Sequence, residues 1–113
     1  MTNNTVAIRE LNDRFRKGDK AVPGSWMITT GVQELIEDDA CKALLISTVA
    51  SFETFDEGND PHGEHDFGAF DFAGQRLFWK IDYYAPDLQH GSEDPADIAQ
   101  TVRVLTIMRA DEY

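Results

Sequence analysis

The chain has 113 residues, with 21 acids against 10 lysines and arginines and a net charge of −11. Hydrophobic residues make up 42% and aromatics 11%, the composition of one folded domain over residues 1–113 rather than of a disordered acidic tail. The acidic balance speaks against direct nucleic-acid binding, the single cysteine excludes an intrachain disulfide or Cys-based zinc cluster, and no apolar run approaches the roughly 18 residues of a membrane span.

The opening Met-Thr-Asn-Asn-Thr lacks a basic segment followed by an apolar run, so no secretory leader is expected and the location follows as cytoplasmic. Residues 5–17 read as a helix. Ile8, Leu11 and Phe15 recur at i, i+3, i+7, Thr5 suits the N-cap, and Gly18 marks the stop. Residues 25–30 carry the β-branched and aromatic content of a short strand. Thr30 and Gln33 then have capping-box spacing for a helical turn holding Val32, Leu35 and Ile36. Asp38 or Asp39 caps a helix over about 40–52, with Cys41, Leu44, Leu45, Thr48 and Phe52 on its apolar stripe. On that stripe Cys41 reads as a buried small hydrophobe, not a nucleophile.

Residues 56–64 are a loop by composition, and 65–84 form a hairpin around Ala73-Gly74. A two-residue turn sets Asp71 opposite Arg76, Phe70 opposite Leu77, Gly68 opposite Trp79 and His65 opposite Asp82, all compatible pairs. A three-residue turn would put Asp66 against Asp82. Residues 85–97 form a second loop, in which Asp94-Pro95 opens a single helical turn. The Val, Thr and Ile density of 101–109 favours a last strand. The fold expected is α+β. A small antiparallel sheet (hairpin 65–84 plus strands near 25–30 and 101–109) is packed by two helices, 5–17 and 40–52.

Charge is concentrated in one stretch. Residues 53–97 hold 12 acids and only two bases, Arg76 and Lys80, a net of −10. Such a field attracts basic partners and keeps a small protein soluble. Three constellations are chemical candidates. His62 and His65, beside Glu64 and Asp66, carry donors for a divalent ion, although not at the helical spacing that brings two histidines to one face. His65 with Asp66, Glu64 or Asp82 has the base half of a hydrolytic triad, but none of Ser25, Ser47, Ser51 and Ser92 sits in a nucleophile-elbow context. Asp56, Asn59 and Asp60 lack the ligand alternation of a calcium loop. No phosphate-binding or dinucleotide motif is present, and no cofactor is expected. The hairpin aromatics Phe67, Phe70, Phe72, Phe78, Trp79, Tyr83 and Tyr84 must cover a core on one face, while the other face sets aromatics beside acids, the chemistry of protein-binding surfaces.

The runs Gly63-Glu64-His65-Asp66-Phe67-Gly68-Ala69-Phe70, Phe78-Trp79-Lys80-Ile81-Asp82-Tyr83-Tyr84, Gly91-Ser92-Glu93-Asp94-Pro95-Ala96-Asp97 and Thr101 to Met108 together resemble a family of small bacterial proteins of unknown function, commonly found on plasmids and other mobile elements. The resemblance covers about residues 5–113 and is specific over 60–113. It implies no activity, but it places Glu64, His65, Asp66, Trp79, Asp82, Glu93 and Asp94 in the family pattern. That pattern more often has Tyr where this chain has His62, which weakens the two-histidine metal reading.

The expected role is a non-enzymatic acidic binding module, an inhibitor or adaptor that occupies the basic groove of a nucleic-acid-binding protein. In a mobile-element setting the target would be a host-defence component, and the module a nucleic-acid mimic of the anti-CRISPR or anti-restriction kind. Partner-contacting candidates are Asp56, Glu57, Asp60, Glu64, Asp66, Trp79, Asp82, Tyr84, Asp87, Glu93, Asp94 and Asp97. The alternative is a small metal-dependent or acid–base hydrolase centred on His65, Asp66 and Glu64. A homo-oligomer built on a strand edge is a third reading.

Overall fold

A computed structural model describes residues 3–113; Met1 and Thr2, the start of the segment read for a leader, lie outside them. Helix α1 runs Asn3–Arg16, so Thr5 lies inside the helix and not at its cap. Its C-terminus closes as the sequence foretells. Gly18 adopts φ 94°, and the Asp19 and Gly18 amides donate back to Arg14 and Phe15. This is the Schellman arrangement, in which a left-handed glycine lets the chain satisfy the last carbonyls.

Strand β1 (Gly24–Ile28) leads into the single turn α2 (Thr30–Gln33). Thr29, one residue before the expected cap, accepts from the Val32 amide. Asp38 caps α3 (Asp39–Ala50) through the Cys41 amide. The inward stripe of α3 is Leu45 and Val49, flanked by Cys41, Thr48 and Phe52; Leu44 points out and is 61% exposed. Cys41 is half-buried and its thiol donates to the Leu35 carbonyl.

Strands β2 (Phe67–Phe72) and β3 (Gln75–Tyr84) form the hairpin in the two-residue register, with Asp71 opposite Arg76 and Gly68 opposite Trp79. Ala73 and Gly74 both take positive φ, 51° and 76°, as a type I′ turn requires. Gly68 is required for close packing: a Cβ there would collide with the indole of Trp79 and the ring of Phe52. Strand β4 (Val102–Arg109) follows a 3₁₀ turn at Ile98–Gln100, which Asp97 caps. The turn expected to open at Asp94 therefore becomes helical only three residues later, with Asp94 accepting from the Ala96 amide.

The fold is α+β, and the sheet order is β1-β4-β3-β2. One feature differs from the antiparallel sheet expected: β1 runs parallel to the interior strand β4, Gly24 against Arg103 through Ile28 against Ile107, so the sheet is mixed. A five-residue strand carries no sequence signal for its direction. The core lies between one sheet face and the two long helices. Leu77, Trp79, Ile81, Leu105 and Ile107 meet Leu11 and Phe15 of α1 and Leu45 and Val49 of α3.

Candidate functional site

The sheet core is crossed by a polar seam. Asn12, Asp13 and Arg16 flank the apolar stripe of α1, and Asn12 and Arg16 are almost fully buried. Asn12 Nδ2 donates to the Glu64 carbonyl at 3.0 Å and to the Tyr83 hydroxyl at 2.8 Å. The Tyr83 hydroxyl donates to Glu64 Oε1 at 2.9 Å. Arg103 Nε donates to Asn12 Oδ1 and Nη2 to the Pro95 carbonyl, both at 2.6 Å, with the guanidinium 5.3 Å over the Tyr83 ring. Burial pushes the Tyr83 phenol well above its ordinary range, helped by Glu64 and Asp66 and opposed by the Asn12 bond. Tyr83 is thus a fixed donor at neutral pH. Burial also lowers Arg103, which touches no carboxylate and leaves Nη1 without a partner.

Arg16 performs a related task. Its Nη1 donates to the carbonyls of Val49, Ala50 and Phe52 at 2.9, 3.0 and 2.8 Å, filling acceptors that the end of α3 leaves open. The guanidinium also stacks over Trp79 and Phe55, 5.1 and 5.5 Å from the ring centres. One arginine therefore clips α1 to the tail of α3.

His65 does not face Asp82. It adopts φ 55°, which ends the ladder before it; the last rung is the Ile81 amide on the Asp66 carbonyl. Its Nδ1 lies 2.9 and 3.1 Å from the two carboxylate oxygens of Asp13, and Nε2 lies 3.7 Å from Asp60. The ring stacks on Phe55 at 3.8 Å, nearly parallel. Both ring nitrogens thus face carboxylates, and no serine or cysteine is bonded to either. Asp82 instead pairs with Lys80 at 2.9 Å. His62 is exposed, away from the two contacts that hold His65, and among the described residues no group of three or more His, Cys, Asp or Glu could hold a metal ion. The arrangement ties the 53–66 loop to α1.

The twelve residues assigned to partner contact are not equivalent. Trp79 is fully buried in the core and Asp60 is buried against His65, so neither can meet a partner. Glu64 is tied to Tyr83. Asp56 accepts from the Gly58 and Asn59 amides, Asp87 from Gln89 and His90, and Asp97 from Ala99. These carboxylates fold their own turns while Asp56, Asp87, Glu57 and Glu93 remain exposed. Backbone donation from Gln89, then the His90 ring, holds the Asp87 carboxyl below the usual range. Asp66 is the opposite case: burial raises it, with Glu64 adding to the effect.

Topology brings the two acidic loops to one end of the molecule. The start of β2, the end of β3 and the start of β4 share that end of the sheet, so residues 53–66 and 85–97 both emerge there. Together they hold ten carboxylates and no lysine or arginine. Asp82 and Tyr84 lie elsewhere, on the sheet face turned away from the helices. Sequence reasoning missed Asn12, Asp13, Arg16 and Arg103. A signal existed for Arg103, which shares its parity along the strand with the buried Leu105 and Ile107. None existed for the residues of α1, because their partners lie 33 to 91 positions away.

This is a small α+β module with a buried polar seam that joins α1 to the 53–66 loop and to β4. The chain belongs to a family described as protein of unknown function (DUF3768), whose model matches residues 28–112. The matched span holds Glu64, His65, Tyr83 and Arg103 but leaves out α1. No curated protein and no solved structure matches the chain.

Proposed function

We propose that the protein is a non-enzymatic acidic binding module, an inhibitor or adaptor that engages a basic protein surface. The observation that carries this reading is the pair of loops at one end of the sheet, without lysine or arginine, on which Glu53, Asp56, Glu57, Asp87 and Glu93 are exposed. Their turns are fixed by carboxylate-to-amide bonds, so the charges are presented on ordered backbone and little ordering entropy opposes binding. Clustered carboxylates at the surface substitute for phosphates, and the partner is accordingly a protein with a nucleic-acid-binding groove. In the mobile-element setting that the sequence resemblance implies, such a partner belongs to host defence, and the module acts as a nucleic-acid mimic of the anti-CRISPR or anti-restriction kind.

The test is affinity capture from the native host, repeated at two salt concentrations. Electrostatically steered association weakens steeply with salt, so the captured partner's on-rate falls about tenfold or more between low and high salt. Glu57→Lys with Glu93→Lys abolishes capture while leaving the melting temperature within a few degrees. A partner held equally at both salts, or by the charge-reversed protein, overturns the reading.

A further inference from the structure

The sheet has a second face that neither long helix covers; Tyr113 packs on it only at Phe67 and Phe78, and Met108 is buried within it. Strand pairing places Ser25 and Met27 of β1, Val102, Val104, Thr106 and Met108 of β4, and Phe78, Lys80, Asp82 and Tyr84 of β3 on that side. A sheet with one face in water ordinarily alternates apolar inward and polar outward. Here interior strand β4 turns no charge outward at all, and Met27 is 58% exposed beside it. The floor is sunk into a groove of about 420 Å³, walled by Lys80, Asp82, Glu112 and Tyr113. Exposed apolar surface of this kind marks an interaction site.

The charges around the groove indicate its occupant. Lys80 is its only lining cation, and Asp82 already holds it at 2.9 Å. Glu112 and Asp82 face the groove, and a neighbouring cleft that shares Lys80, Asp82 and Tyr113 continues it to Asp66 at the foot of the acidic loop. A second copy would bring −11 against −11. Tyr113 lies to one side, packed edge-on against Phe67 and Phe78. The floor from β1 across β4 to β3 spans two strand spacings, roughly 9.6 Å, about the diameter of an α-helix.

We propose that the open sheet face is the docking groove for a cationic amphipathic helix of a partner protein. Its apolar stripe covers Met27, Val104 and Thr106, and its Lys and Arg side chains meet Asp82, Glu112 and Asp66. The helix supplies the third layer that the fold lacks. This rests on the basic-partner reading above and adds where the partner sits and in what shape.

Three peptides of equal charge test it against the isotope-labelled full chain by amide chemical-shift titration. One is a Leu/Lys peptide with Leu at i, i+3, i+4 and i+7, one is its scramble, and one is oligolysine. The amphipathic peptide binds about tenfold or more tighter than the scramble, with shifts at Met27, Tyr84, Val104 and Thr106. Met27→Ser keeps the net charge and weakens it severalfold; Thr106→Lys, which sets a cation in the floor, weakens it about tenfold or more. Both variants keep the native spectrum outside the groove, and a variant that does not is replaced by Tyr84→Ser. Equal binding of the scramble, no binding of the amphipathic peptide, shifts confined to 53–66 and 85–97, or self-association through this face each overturns the groove. Oligolysine decides the earlier reading separately: that reading falls if oligolysine leaves the two loops unshifted or binds Glu57→Lys/Glu93→Lys undiminished.

Discussion

The two faces of the sheet each depart from the usual distribution of polarity. The face under the helices buries two arginines and an asparagine, while the face toward solvent presents methionine, valine and tyrosine. The contrast separates two uses of a side chain. Inside, the polar groups are held by bonds to distant parts of the chain, and they select one arrangement of α1, the 53–66 loop and β4. Outside, Met27 is 58% exposed and contributes to no core in the monomer.

The strongest way to break the contrast is to remove the seam. Arg103→Ala strands Asn12 Oδ1 and the Pro95 carbonyl and leaves a cavity, and is expected to cost about 3–5 kcal/mol in denaturant unfolding. If Arg103→Met is instead neutral, the seam specifies the fold without stabilising it. Tyr83→Phe removes the hydroxyl shared by Asn12 and Glu64 and should cost about 1–2 kcal/mol.

The hairpin turn offers a change in the other direction. Ala73 sits at φ 51°, a region that costs an alanine about 1 kcal/mol, so Ala73→Asn or Ala73→Gly should stabilise by about 0.5–1 kcal/mol. An unchanged melting temperature would mean the turn is already relaxed.

Asp66 sharpens the contrast by pH. Burial, then the Glu64 charge, raises its carboxyl in the fold, so the folded state binds the proton more tightly than the unfolded chain. Its contribution is present below the ordinary carboxylate pKa of about 3.9 and is lost as pH rises through the higher folded value. Asp66→Asn, which cannot ionise, should therefore gain stability relative to the parent as pH climbs from acid to neutral. Parallel curves for the two proteins would contradict this sign. The smallest effect is on the outer face. Met27→Ser should move stability by no more than about 0.5 kcal/mol, as expected of an exposed side chain that packs no core.

Much of the architecture was legible because it depends on short-range pattern. The α1 stripe, Gly18, the Asp38 cap and the hairpin register all follow from residues a few positions apart. The register was legible since Asp71–Arg76 and Gly68–Trp79 are chemically sensible only in one alignment. What escaped is long-range. The direction of β1, the interior place of β4 and the tie from His65 to Asp13 depend on partners 52 to 79 residues away. His65 against Asp82 was a reasonable cross-strand pair, but it presumed a ladder that the left-handed backbone at His65 ends early. The gathering of the acidic loops followed only once the strand order was known.

The position of β1 also dictates when this protein can mature on the ribosome. Its sole neighbour in the sheet is β4, and Gly24 must wait for Arg103, 79 residues later. Strand β1 leaves the exit tunnel with both edges unsatisfied, and native pairing is deferred until β4 has emerged. Nascent chains stalled before residue 102 should accordingly engage chaperones or be cut by proteases around β1, whereas emergence of β4 closes that window.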